Sequence, residues 1–201
     1  MTFVFACGRV AALAALIPVV ACAPLLPEVP VPVPQVMPAM AWDHLPASTG
    51  WTAATLAALR TQGAPLLSEV PGDISAWCPG YVAAGPDQRA AFWAGLFSAL
   101  ARFESTWNPR AVGGGGQWFG LVQISPQTAR AYDCAAESGA ALQDGSANLA
   151  CAVQIATESV QRDGVVAAGG GGIAADWGPF HSAEKRAQMR EWVSTQSYCR
   201  G

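Results

Sequence analysis

The chain has 201 residues, of which 52% are hydrophobic and 12% are charged, and its formal net charge is −3. This composition predicts one globular domain with short appendages, because disordered chains are less apolar and more highly charged. No basic cluster is present, which argues against a nucleic-acid-binding protein. Neither a Gly-Lys-Ser/Thr phosphate loop nor the Cys/His spacing of a closed zinc site occurs, so we expect no cofactor and no metal.

The beginning of the chain has the pattern of a secretory signal. An almost entirely apolar run covers residues 10–21, and it is too short to span a membrane as a helix, which needs about 20 residues. The run ends in Val19-Val20-Ala21-Cys22, which is typical of a bacterial lipobox. We therefore predict a signal peptide over 1–21 and lipidation of Cys22. Ordinary cleavage after Ala23 is the alternative, since the preceding residues also fit a small-x-small site.

A proline-rich segment follows, with seven prolines between residues 24 and 46. Such a composition favours extended polyproline structure and acts as a semi-rigid spacer. We predict a tether over residues 22–48 that holds a globular domain, residues 49–201, away from a membrane surface. The residue after Cys22 is alanine and not aspartate, which among lipoproteins favours the outer membrane.

The remaining sequence predicts a mainly α-helical domain. Apolar residues recur every three or four positions, and Pro86, Ser125-Pro126 and Ser182 are typical of helix starts. The predicted helices cover 51–61, 86–104, 126–134, a segment through 149–160 that ends before Gly164, and a segment after Ser182 that carries residues 189–193. Two or three short strands between 113 and 124 remain possible, within an α+β domain of minimal β content.

Four cysteines lie beyond the predicted signal and tether, namely Cys78, Cys134, Cys151 and Cys199. An even number without metal-site spacing, in an exported chain, predicts two disulfides. Three connectivities are possible. We favour Cys134–Cys151, which closes a short loop, together with Cys78–Cys199, which attaches the C-terminal segment to the start of the domain.

Glu104 continues the apolar stripe of the predicted helix 86–104. Trp93, Phe97 and Leu100 step by four and three residues, and the next step of four reaches this glutamate. Partial burial and the negative end of the helix dipole both disfavour a charged carboxylate, so its pKa is expected to rise. A carboxyl group that keeps its proton near neutral pH can act as a general acid. A surface glutamate at a fraying helix end is the alternative.

Two sequence blocks surround this residue. The first is Glu104-Ser105-Thr106-Trp107-Asn108-Pro109, and the second, after a run of glycines, reads Gly-Leu-Val-Gln-Ile-Ser-Pro-Gln-Thr-Ala over residues 120–129. Their order and spacing resemble the soluble lytic transglycosylase family, in which Val122 is usually methionine. A later Asn148 resembles the family's asparagine at the start of the next helix. The resemblance covers about residues 75–192.

The resemblance implies a lysozyme-like fold and cleavage of peptidoglycan between N-acetylmuramic acid and N-acetylglucosamine. Glu104 would be the catalytic acid and base, and the sugar's 6-hydroxyl would attack C1 to give a 1,6-anhydro product without water. Hydrolases usually need a second carboxylate, and neither block contains one apart from Glu104. Four aspartates elsewhere are more typical of helix ends or of the surface: Asp133, Asp144, Asp163 and Asp176.

The same resemblance suggests residues that contact the substrate. Gln123 matches the family's cleft glutamine, which contacts the N-acetyl region of a sugar, and Ser105 and Trp118 are further candidates. Trp177 stands near the position of a family tyrosine, which it could replace as a ring but not as a hydroxyl. Either Tyr132 or Tyr198 could supply that hydroxyl.

A second departure from the family is Gly113, which stands where a serine often orients the glutamate. Two other functions therefore stay open, a lysozyme-like hydrolase that uses water and a catalytically weak muropeptide-binding lipoprotein. In each case the expected partner is the glycan strand of peptidoglycan. We expect a monomer in the periplasm, with no contact to nucleic acid and membrane contact through the lipid anchor alone.

Overall fold

Helices dominate residues 37–200, the part of the chain that the computed structural model describes. The predicted signal peptide, Cys22 and the tether up to residue 36 lie outside the described residues. The α-helices are α1 Ser48–Arg60, α2 Ala64–Ser68, α3 Pro86–Ser105, α4 Pro126–Ala131, α5 Gly139–Leu142, α6 Gly145–Asp163 and α7 Ala183–Ser194. The strands are β1 Val112–Gly113 and β2 Trp118–Phe119. The prediction of one mainly α-helical domain is confirmed. No helix within these residues has the length and apolar character needed to cross a membrane.

The central helix α3 is buried on all sides over most of its length. Pro86 begins it, and the side chain of Gln88 accepts a hydrogen bond from the backbone N–H of Gly85 (3.1 Å). Residues 90–101 are buried throughout, because α1, α2 and α7 all pack against this helix. Beyond Ala101 the helix leaves the core, so its last turn meets solvent.

Helix α6 packs against α1 and forms the second large element of the core. The carboxylate of Asp144 caps its start by accepting from the backbone N–H of Ala147 (2.9 Å). Gly164 ends the helix in the left-handed region with a φ of 67°, as predicted from the sequence. Asn148 lies inside the helix and not at its start. Its side chain forms hydrogen bonds with the second sequence block, which are described below.

Helix α4 is shorter than the sequence suggested. Ser125 caps it as predicted, accepting from the backbone N–H of Thr128 (2.9 Å). The helix ends at Ala131 and not at residue 134, because Asp133 adopts a positive φ of 51° and turns the chain away. The short helices α2 and α5 were not predicted, since each has too few residues to show a period.

The possible strands between 113 and 124 are present as a small antiparallel hairpin. Val112 pairs with Phe119 and Gly113 pairs with Trp118. The three glycines that follow Gly113 all have positive φ values, which is why the turn of the hairpin consists of glycine.

Two disulfides join distant parts of the domain. Cys78 pairs with Cys199, and Cys134 pairs with Cys151. These are the pairings favoured from the sequence. In the chain-entropy model the longer loop contributes about 5 kcal/mol and the shorter loop about 3 kcal/mol to the free energy of unfolding.

Candidate active site

Glu104 lies in the last turn of α3, where the helix leaves the core, and is half-buried. Burial raises the pKa of Glu104 to about 7, and the positive charge of Lys185 partly offsets that rise. Within residues 37–200 no side chain or backbone N–H donates a hydrogen bond to its carboxyl group. The carboxyl group thus keeps its proton to a higher pH than an ordinary glutamate, and its oxygens are not used by other groups of the described residues.

The chain turns sharply directly after Glu104. Thr106 and Trp107 both adopt the left-handed conformation, with φ values of 52° and 58°, which is unfavourable for residues that carry a Cβ. The indole of Trp107 donates to the backbone carbonyl of Ser98 (2.8 Å), and this bond secures the turn against α3. The end of the helix, and with it the backbone of Glu104, is therefore held in one orientation.

Ser105 joins the two sequence blocks. Its hydroxyl donates to the backbone carbonyl of Leu121 at 2.7 Å, although the two residues are separated by 16 positions. The predicted role of Ser105 was substrate contact. Its hydroxyl proton is instead used to hold the second block, residues 120–124, beside the end of α3.

Asn148 of α6 fixes the second block from the other side. Its side-chain oxygen accepts from the backbone N–H of Val122 (2.9 Å), and its amide donates to the carbonyl of Phe119 (3.0 Å). Gly120 has a φ of 83°, and a Cβ there would overlap both the Leu142 carbonyl and the Asn148 amide. The block therefore requires glycine at this position and the asparagine opposite it.

Gln123 has an unusual backbone and a directed side chain. Its φ is 51°, and its amide nitrogen donates to the carbonyl of Gly120 (2.9 Å). Its side-chain oxygen lies against Gly113, where a Cβ would overlap it. Among the described residues no group donates to that oxygen. The glycine in place of the family's serine thus makes room for the glutamine side chain.

The two candidate tryptophans occupy opposite environments. Trp118, on β2, is 46% exposed, and its ring covers the backbone of Gly114. Trp177 is 4% exposed, and its indole donates to the carbonyl of Val122 at 2.8 Å. We correct the expectation that Trp177 contacts substrate: its ring is enclosed, and it holds the second block in place. Trp118 retains an open aromatic face.

Neither candidate tyrosine supplies a hydroxyl to Glu104. The hydroxyl of Tyr132 donates to Asp176 (3.1 Å), and that of Tyr198 donates to the carbonyl of Ala39 (3.3 Å). Neither of these two residues therefore replaces the hydroxyl of the family tyrosine.

The four remaining aspartates have structural surroundings. Asp144 caps α6, as described, and Asp133 is an exposed residue of the turn after α4. Asp163 pairs with Arg162 (2.7 Å) and accepts from the backbone N–H of Gly172 (2.7 Å). Asp176 accepts from two hydroxyls, those of Tyr132 and Ser159. These contacts agree with the interpretation of helix-end and surface residues.

Sequence reasoning missed Lys185, whose ammonium group lies 5.8 Å from the ring centre of Phe103, the neighbour of Glu104. It stands in the first turn of α7, so this helix begins beside the end of α3. It is the single lysine of the chain, and that rarity was the signal that could have drawn attention to it.

The half-buried Glu104 thus lies on a mainly helical, lysozyme-like fold. Residues 83–167 match the family model described as Transglycosylase SLT domain. For these residues the match confirms the resemblance predicted from the two blocks, and the fold is of the peptidoglycan-cleaving lytic transglycosylase type. SLT domains act on peptidoglycan, which implies an extracellular or periplasmic location.

Solved structures of one protein, DslA, are similar along most of the chain. The wild-type form 2 is 28% identical, with 82% of this chain and 99% of that chain covered and a TM-score of 0.74. A Glu-to-Gln mutant of DslA is 29% identical, with 79% and 95% covered and a TM-score of 0.72. A second such mutant is 27% identical, with 82% and 99% covered and a TM-score of 0.73. The comparison with curated proteins gives no match.

Proposed function

We propose that this protein is a lytic transglycosylase that cleaves the bond between N-acetylmuramic acid and N-acetylglucosamine in peptidoglycan. Protonated Glu104 donates its proton to the glycosidic oxygen as the bond from that oxygen to C1 breaks. The resulting carboxylate then accepts the proton of the muramic acid 6-hydroxyl as this oxygen bonds to C1. The products are a free 4-hydroxyl and a 1,6-anhydro end, and Glu104 is protonated again.

The proposal is supported by the Glu104 carboxyl group, which has a raised pKa and accepts no hydrogen bond from the described residues. A pKa of about 7 lets the same group give and take a proton near neutral pH, because neither form is strongly disfavoured. A carboxyl group without a protein donor on either oxygen can approach the glycosidic oxygen directly. A carboxyl group that accepts several hydrogen bonds, by contrast, has a lowered pKa and is ionised near neutral pH, so it has no proton to donate.

Substrate contacts are proposed for two of the neighbouring side chains. The side-chain oxygen of Gln123 can accept from the N–H of an acetamido group, since its own amide nitrogen is already engaged with the backbone. The exposed ring of Trp118 offers an apolar face on which a sugar ring can stack. Ser105 and Trp177 are proposed as positioning residues that hold the second block.

Transglycosylation is favoured over hydrolysis by the surroundings of Glu104. The carboxyl groups of hydrolases lie about 5–9.5 Å apart. Neither of the two sequence blocks contains an acidic residue besides Glu104. A water-activating carboxylate close to the site is therefore not supported.

The products distinguish the three functions. Purified peptidoglycan is digested with the full-length protein in ¹⁸O-labelled water, and the fragments are analysed by mass spectrometry. A transglycosylase gives anhydro ends without ¹⁸O, which is the expected result. Reducing ends that carry ¹⁸O would instead show a hydrolase. Glu104→Gln is the control for contaminating activity.

A catalytically weak binding protein is the candidate favoured by Gly113 and by the two tyrosines that do not reach Glu104. Without an orienting hydrogen bond the carboxyl group samples more rotamers, which would lower the rate. Retained binding of muropeptides with no product of either kind would establish this function and contradict the transglycosylase.

For the N-terminal part we propose a lipid on Cys22, a tether and a periplasmic domain at the outer membrane. The tether is shorter than the predicted 22–48, because Met40 and Trp42 are buried in the core of the domain. Cys22→Ser is expected to release the protein from the membrane fraction while the domain still folds. Unchanged detergent partitioning of this variant would contradict the anchor.

A further inference from the structure

A pocket lies between α7 and the glycine-rich turn Ala168–Gly170. Its volume is about 340 Å³, and its charged and titratable lining residues are Asp73, His181, Arg186 and Arg190. None of these belongs to the two blocks around Glu104. Two guanidinium groups against one carboxylate give the pocket a positive formal charge.

Arg190 is the residue that needs explanation. Its Nε is buried and has no hydrogen-bond partner, and it is the one buried side-chain nitrogen or oxygen in this condition within residues 37–200. The guanidinium carbon lies 5.1 Å from the ring centre of Trp77, so the group is stacked on an aromatic face. Buried polar groups are almost always paired. Within residues 37–200 the protein thus provides no acceptor for this buried donor.

The carboxylate of Asp73 does not neutralise these arginines. Its oxygens accept from the backbone N–H groups of residues 166, 167 and 168 and from the indole of Trp77 (3.3 Å). No ion pair of Arg186 or Arg190 occurs within the described residues, since the ion pairs found there belong to Arg60 and Arg162. Arg186 donates to the carbonyl of Phe180 (2.5 Å), which fixes its position at the pocket.

Carboxylates and phosphates are the groups that a guanidinium recognises with two parallel hydrogen bonds, because its planar fork matches the geometry of both. We propose that this pocket binds a carboxylate of the stem peptides that are attached to peptidoglycan glycan strands. The source of the carboxylate, although not the anion site itself, rests on the proposed function.

The position of the pocket agrees with this ligand. Helix α7 carries Lys185 beside the end of α3 and Arg190 in the pocket, and five residues of helix span about 7.5 Å. A stem peptide of four or five residues reaches about 13–18 Å when extended. The rise along α7 is shorter than the extended peptide, but five residues also turn the helix by about 140°, so a peptide joined to a sugar near Glu104 has to pass around α7 to reach the arginines.

The test is a titration of the isotope-labelled full-length protein, followed by NMR, with three probes: a synthetic stem peptide, the same peptide with its carboxyl groups amidated, and inorganic phosphate. We expect the free peptide to shift resonances of the pocket and the amidated peptide to bind at least about tenfold more weakly, since each charged hydrogen bond is worth about a factor of ten or more. Arg190→Gln is expected to weaken the free peptide by a similar factor.

Matched variants separate the local effect from charge and folding. Arg200→Gln removes the same charge from an exposed position and is expected to leave the dissociation constant unchanged. Arg190→Lys keeps the charge and the aliphatic stem but lacks the fork, and is expected to bind at an intermediate strength. If Arg190→Gln does not give a folded spectrum, the comparison of Arg190→Lys with the wild type decides.

Equal binding of the free and amidated peptides, or equal binding by the wild type and Arg190→Lys, would overturn the proposal. Saturation by phosphate together with no binding of peptide would also overturn it, in favour of an anion from another source. These binding measurements do not depend on catalytic turnover. A failure of stem-peptide binding thus leaves the transglycosylase test untouched, and an inactive protein that binds the peptide would contradict only the proposed catalysis.

Discussion

Glu104 and Asp73 are both half-buried carboxyl groups, yet the protein treats them in opposite ways. Asp73 accepts hydrogen bonds from three consecutive backbone N–H groups and from the Trp77 indole. Glu104, at the end of α3, has no donor among the described residues, and its pKa is raised to about 7. Both groups are therefore half-buried, but Asp73 is fully hydrogen-bonded and Glu104 accepts no hydrogen bond from the described residues.

This difference shows that the partners of a carboxylate indicate its role better than its burial does. A carboxylate that accepts several N–H groups stabilises a loop, whereas a buried carboxyl group without donors destabilises its own charged form and holds its proton. The fold tolerates the second situation at Glu104 because the surrounding bonds of Ser105, Trp107 and Asn148 hold the backbone in place.

The largest expected effect comes from Glu104→Gln. The substitution keeps the shape of the side chain but removes the transferable proton, so we expect the rate of anhydromuropeptide release to fall by about 10²- to 10⁴-fold or more. The measurement is the initial rate on purified peptidoglycan. Glu158→Gln, at an exposed position on α6, is the control and is expected to keep the wild-type rate.

Near wild-type release of anhydro ends by Glu104→Gln would place the chemistry elsewhere and reduce Glu104 to the surface residue considered as the alternative. Glu104 and Asp73 would then differ in their hydrogen bonds but not in catalytic function.

Asp73→Ala tests the other member of the comparison. It leaves three neighbouring backbone N–H groups without their acceptor, and we expect the free energy of unfolding to fall by about 2–4 kcal/mol. Urea denaturation with both disulfides intact measures this loss. Asp73→Asn retains one acceptor oxygen and is expected to lose less. A loss below about 0.5 kcal/mol in Asp73→Ala would mean that water replaces the carboxylate without cost.

The pH profile sharpens the same contrast. The first step needs protonated Glu104, so kcat/KM is expected to fall as the pH rises through about 7, by up to tenfold for each pH unit above it. Initial rates between about pH 3 and pH 9 on solubilised glycan strands give the profile. A decline centred near pH 4–5 would show that the carboxyl group has an ordinary pKa and is not poised as proposed.

Sequence reasoning predicted the long helices α1, α3 and α6 because each shows its period and its terminal signals over several turns. It placed Glu104 correctly at the end of a buried stripe for the same reason. The length of α4 could not be predicted, since its end depends on the positive φ of Asp133, which the residue type permits but does not require.

The details of the site depend on contacts between residues far apart in the chain. Ser105 and Trp177 belong to recognisable positions, but their polar atoms are directed to the carbonyls of Leu121 and Val122 and not to the cleft. The relation between Gly113 and Gln123 is visible only when the hairpin places them together. No local pattern encodes such pairings, because they are set by how α3, α6 and the hairpin pack.

The smallest expected effect concerns stability and does not depend on substrate. The pKa of Glu104 rises from 4.5 in an exposed reference to about 7 in the folded protein, so the folded state binds the proton more tightly than the unfolded state. Folding stability is therefore lost as the pH rises from about 4.5 to about 7, and Glu104→Gln abolishes that loss. Allowing for solvent screening of a half-buried group, we expect roughly 1–3 kcal/mol. Urea denaturation gives the free energy of unfolding of the wild type and of Glu104→Gln at pH 4 and at pH 8. At each pH the wild-type value is subtracted from that of the variant, and the change in this difference between the two pH values is the effect. Any constant cost of the glutamine cancels. Glu158→Gln is expected to show no such change, and an equal result for Glu104→Gln would mean that the half-buried carboxyl group ionises as freely as an exposed one.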